Sequence, residues 1–62
     1  MTISETVQRV VAGCIERKEW RSSCEQAATG YAKDKREKQA IRDYVRQQYD
    51  AAGAGFSGRW QA

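Results

Sequence analysis

The only thiols in the chain are Cys14 and Cys24, ten positions apart. A thiol becomes a working nucleophile or metal ligand as its thiolate, which needs a base, a cationic neighbour or a metal beside it. Histidine, the commonest general base and metal ligand, is absent. That removes every Ser-His-Asp and Cys-His arrangement. Structural zinc wants four ligands, which here would mean Cys14 and Cys24 from each of two chains. On one continuous helix the pair would stand roughly 15 Å apart at about 1.5 Å rise per residue, too far to bridge. Only a break between them brings them together. Buried free thiols, behaving as small hydrophobes, are the leading reading. The carboxylates Glu16 and Glu19, or Asp43 and Asp50, have ordinary helical-surface spacing, and nothing in the sequence builds a pocket around them. The chain is read as a non-enzyme with no catalytic residues, no metal and no cofactor.

Charge and aromatic residues offer two binding surfaces. Around a helical wheel for the third predicted helix, Lys35, Lys38, Arg42 and Arg46 form one stripe beside the apolar face. Phosphates attract such a stripe, and each one neutralised releases counterions. The competing reading is a solvated helix face with internal ion pairs, Lys38 meeting Asp34 at i,i+4 and Asp43 and Asp50 flanking the stripe. The second surface lies in the tail, where Phe56 and Trp60 stand four apart among glycines beside Arg59. Trp and Arg are typical interface anchors, and Trp20 is a further candidate. Against this, the tail aromatics can fold back to cover a thin core.

The elements that must position these residues are helical. Three capping signatures are present: Thr2-Ile3-Ser4-Glu5, Ser22-Ser23-Cys24-Glu25 and Asp34-Lys35-Arg36-Glu37. Ile3, Val7, Val10, Val11, Cys14 and Ile15 fall on one arc, which predicts a first helix over about 3–18. Carried further, that wheel puts Lys18 in the apolar arc and Trp20, Cys24, Ala28 and Tyr31 on another face. A break near 19–22 resolves the conflict. A second helix is predicted over about 23–32, with Cys24, Ala27, Ala28 and Tyr31 on its face and Gly30 as terminator. A third is predicted over about 35–52, its face formed by Ile41, Tyr44, Val45 and Ala52 with Tyr49 at the margin, ending at Gly53. The rest, 53–62, with three glycines in Gly-Ala-Gly-Phe-Ser-Gly-Arg-Trp-Gln-Ala, reads as a flexible tail. The silhouette suggests a helix-turn-helix, but Ala40 is the only apolar residue in 34–40, so the start of the third helix has little to pack with.

At 62 residues the chain makes one domain at most. Leucine, proline and asparagine are missing, and Ile, Val and Phe together number eight. Six aromatic residues supply part of the missing area. The expected fold is an all-α two- or three-helix domain over 1–52, with the first and third helices as a hairpin, the second as a brace, and the core completed by a second copy. Net charge is only +3, too modest to drive disorder. No stretch resembles a secretory signal or a membrane span, so the expected compartment is the cytoplasm and no membrane partner is expected. The leading expectation is a small regulatory or adaptor protein of phage, plasmid or bacterial type, a homodimer that binds a partner protein through Phe56, Arg59, Trp60 and Trp20. The alternative is a nucleic-acid-binding accessory protein using Lys35, Lys38, Arg42 and Arg46.

Overall fold

The computed structural model describes residues 3–53, and the tail residues 54–62 lie outside that range. Three helices make up the fold: α1 (Glu5–Glu16), α2 (Arg21–Thr29) and α3 (Lys35–Ala51). The all-α reading stands: α3 starts at Lys35 as predicted, and the other helix ends are shifted by one to three residues.

The caps explain the shifts. The α1 cap is Ser4, whose hydroxyl accepts from Val7 N–H at 3.2 Å. Gln8 holds the preceding turn by donating from Nε2 to the Ile3 carbonyl at 2.9 Å. Asp34 caps α3 as expected, accepting from Glu37 N–H at 2.8 Å. The reciprocal bond lands one residue early, on Lys33 N–H at 2.9 Å. At α2 the expected cap fails. Cys24 N–H already bonds the Trp20 carbonyl at 3.0 Å, so Trp20 takes the cap position without a side-chain bond. Ser22 and Ser23 then lie inside the first turn, exposed.

What forces that early start is the turn before it. Lys18 N–H bonds the Ile15 carbonyl at 3.0 Å and Glu19 N–H bonds the Cys14 carbonyl at 2.9 Å. This bond pair is a Schellman closure, with Lys18 in the left-handed position at φ 58°. It is the predicted break, a little earlier than expected. Glycine usually occupies such a site, because a β-carbon there costs roughly 1–2 kcal/mol. Lys18→Gly is therefore expected to stabilise the fold by roughly 0.5–1 kcal/mol after its own entropy cost. Thermal melts check this, and an unchanged or lower midpoint would contradict the turn geometry. Gly53 takes the left-handed position after α3, at φ 63°, with its N–H on the Asp50 carbonyl at 3.0 Å. Gly30 does not: it is the C-cap of α2 in the right-handed region, φ −60°.

The core is one cluster: Val7, Val11 and Cys14 from α1, Cys24 and Ala28 from α2, and Ile41, Val45 and Tyr49 from α3. These are the i, i+4, i+7 and i, i+4, i+8 rows that a single buried helix face requires. Ile3, Val10, Ile15, Ala32 and Tyr44 pack around it, half-buried. Several sequence expectations change. Tyr49, expected at the margin, is fully buried and is the largest such side chain. Its hydroxyl donates to the Glu19 carbonyl at 2.8 Å, tying the end of α3 to the α1–α2 turn. Of the two neighbours on the predicted arc, Val11 is buried and Val10 is half-buried. Ala27 and Ala52 are exposed, and Tyr31, beyond the end of α2, is 54% exposed.

Helix pairing also differs from the expected hairpin of first and third. The closest pair is α2 with α3, and α1 with α3 is the loosest. Ile3 and Val7 share a groove with Glu37 and Ile41 near the start of α3, while Tyr49 near the end of α3 bonds Glu19, just after α1. So α1 and α3 run the same way, and α2 runs against both. Tight turns on either side of α2 dictate this, because each reverses the chain.

Candidate nucleic-acid interface

The α3 stripe is present as an exposed surface. Lys35, Lys38, Arg42 and Arg46 all face solvent, on the flank of α3 that adjoins α2. They span about 16 Å along the helix axis at 1.5 Å per residue. Capping fixes the register: the Asp34 cap starts α3 so that Ile41, Val45 and Tyr49 turn inward. The cationic row then falls beside them.

The expected neutralisation of this stripe is mostly missing. Asp34 spends its carboxylate on the cap and forms no ion pair with Lys38. Glu37 is turned back to the Lys33 amide. Asp43 accepts from Gln39 Nε2 at 3.1 Å. Lys35, Lys38 and Arg42 therefore have no carboxylate partner among the described residues. Lys33 and Arg36, exposed near the same end of α3, are equally unpaired there.

Arg46 is the exception. Its Nε stands 3.5 Å from Glu25 Oε2, and the same oxygen lies 3.3 Å from Arg21 Nε. Glu25 is 17% exposed and links α2 to α3. Arg21 Nε is buried, and its approach to Glu25 lacks hydrogen-bond geometry. One carboxylate thus serves two guanidinium groups, leaving local charge positive. Around it is a shallow cleft of about 260 Å³, lined by Ser22, Glu25, Gln26, Thr29, Arg42 and Arg46. Sequence reasoning missed Glu25, whose only local signal is its i,i+4 spacing from Arg21. Its contact with Arg46 is tertiary.

Of the partner-binding candidates, Phe56, Arg59 and Trp60 lie outside the described residues. Trp20 is half-buried at the α2 cap, so it does not stand out from the surface. A second groove of about 400 Å³, with Tyr31 and Lys33 on its rim, opens on the α1 side of α3, away from the stripe. Cys14 and Cys24 are free and buried. No group of three or more His, Cys, Asp or Glu able to hold a metal occurs among the described residues. Nor is any described helix long and apolar enough to cross a membrane. Comparison with known proteins returns no matching family model, curated protein or solved structure.

Proposed function

We propose that this chain is a small non-enzymatic binding protein that holds nucleic acid by its phosphate backbone along Lys35, Lys38, Arg42 and Arg46. The observation that carries the reading is the lack of carboxylate partners for Lys35, Lys38 and Arg42. Neighbours at i,i+3 and i,i+4 are what could pair such cations on a helix; Lys35 and Arg42 have no acid at that spacing, and Asp34, the one acid placed for Lys38, is taken up by the cap. Contacts from such a stripe to phosphates position the chain and make binding electrostatic. Arg46 joins by leaving Glu25, which keeps Arg21 as its partner.

The test is anisotropy of a labelled oligonucleotide, single- and double-stranded. Lys38→Ala with Arg42→Ala is expected to weaken binding roughly tenfold at low salt, as two exposed charge contacts would. Helicity and melting should not change. Glu25→Gln is expected to tighten binding by releasing Arg46. Unaltered affinity in the double variant would remove the stripe from function. Loss of oligonucleotide binding only in Trp60→Ala would move the contact to the tail aromatics, and no oligonucleotide binding at all would favour a partner protein.

A further inference from the structure

We infer that Cys14 and Cys24 form a dithiol modification site, which a low-molecular-weight disulfide oxidises to an intramolecular bridge stapling α1 to α2.

The placement is a product of the fold. Cys14 sits in the last turns of α1 and Cys24 in the first turn of α2. The left-handed residue Lys18 reverses the chain between them. Both side chains enter one core cluster, 1% and 0% exposed. The Cys24 thiol shares that buried cluster with Cys14 and Tyr49. A straight helix would have held the two positions roughly 15 Å apart; the turn brings both into one core cluster. A bond forms when the two sulfurs close to about 2.05 Å. The chain has no third cysteine, so the second thiol of the pair is the only internal group that can resolve a mixed disulfide.

The chemistry balances in two exchanges. One protein thiolate attacks a sulfur of the small disulfide, breaking its S–S bond and forming a protein–small-molecule mixed disulfide. The expelled thiolate takes the proton that the attacking thiol released. The second cysteine then attacks the protein sulfur of the mixed bond, and the second small thiol leaves with the other proton. Two protein thiols are oxidised and one small disulfide is reduced to two thiols.

The folded state also protects the pair. Burial, reinforced by the Cys14 contact, pushes the Cys24 thiol up to about 12. It is therefore a thiol and not a thiolate at neutral pH. Exchange proceeds through molecules in which α2 has lifted from α1, so its rate follows that opening. Once formed, the bridge removes freedom from the unfolded chain and holds the turn shut.

The full chain is incubated with oxidised glutathione, quenched with acid, and analysed by mass spectrometry and non-reducing peptide mapping. The expected product has lost two hydrogens and contains a peptide cross-linked through Cys14 and Cys24. Its melting midpoint rises by about 10 °C, and reductant reverses the rise. Low urea should accelerate formation. Cys14→Ala and Cys24→Ala are each expected to stop at a glutathione adduct on the remaining cysteine. An end product carrying glutathione on both cysteines, or disulfide-linked dimers, would overturn the inference. So would a bridged chain that melts below the reduced one. The wild-type peptide map decides the matter even where a variant unfolds.

Discussion

Tyr49→Ala is expected to leave the chain largely unfolded at 25 °C. Tyr49 is the largest fully buried side chain in a core of eight residues. Truncating a buried aromatic of this size costs about 3–5 kcal/mol through lost burial and the cavity left behind. At roughly 0.05–0.15 kcal/mol per residue, a domain this small has little more than that to lose. The hydroxyl contributes separately. It donates to the Glu19 carbonyl at 2.8 Å and so secures the turn that starts α2. Tyr49→Phe keeps the ring and removes that bond, at a cost of about 1 kcal/mol. Circular dichroism with urea titration separates the two effects. A cooperative Tyr49→Ala melt close to wild type would show that the core does not depend on this residue.

The second large effect is alkaline unfolding. Burial raises Cys24 from an ordinary value of 9.0 to about 12. Tyr49 is also pushed above its ordinary 10.0, chiefly by burial and then by the neighbouring Cys24. Both groups are neutral when protonated, so the native state keeps protons that the unfolded chain releases. With more protons bound in the native state, stability falls as pH rises. The contribution is whole below about pH 9, where both states are protonated. It declines between about 9 and 12 for Cys24, at up to roughly 1.4 kcal/mol per pH unit. Tyr49 adds a similar slope from about pH 10 upward. Thermal midpoints are therefore expected to be flat from pH 7 to about 9 and to drop steeply beyond it. Cys24→Ala should delay the onset. A midpoint unchanged up to pH 11 would mean that these groups are not buried as described.

Much of this fold was legible in the sequence. The Ile3-to-Ile15 arc, the misfit of Lys18, the Asp34 cap and Gly53 each marked a boundary through local chemistry alone. Two features were not legible, for the same reason. Ser22 looked like a cap, but the Lys18 turn and the Tyr49–Glu19 bond fix where α2 begins. Tyr49 looked marginal because its wheel position lies at the edge of the α3 face; the α1–α2 turn folds over that edge and buries it. Both involve the Tyr49–Glu19 bond, thirty residues apart in sequence, which periodicity does not carry. The candidate site divides similarly. Its stripe follows from i+3 and i+4 spacing, as does the absence of acids at that spacing from Lys35 and Arg42, whereas the missing Lys38 pair depends on Asp34 turning to the cap. Tyr49, Cys14 and Cys24 also supply part of the core volume that the missing leucines would have filled. That shortage is the reason to expect a second copy. A melt that stays constant across protein concentration would end it.

The most direct test of the proposed function is the salt dependence of oligonucleotide binding, measured on the full chain from low to physiological ionic strength. Four cations on duplex phosphates predict that the logarithm of affinity falls linearly with the logarithm of salt, with a slope of about three to four. Lys38→Ala with Arg42→Ala should lower that slope by about two. Binding that is absent at low salt, or whose slope is the same in the double variant, would contradict the assignment of nucleic acid to this helix.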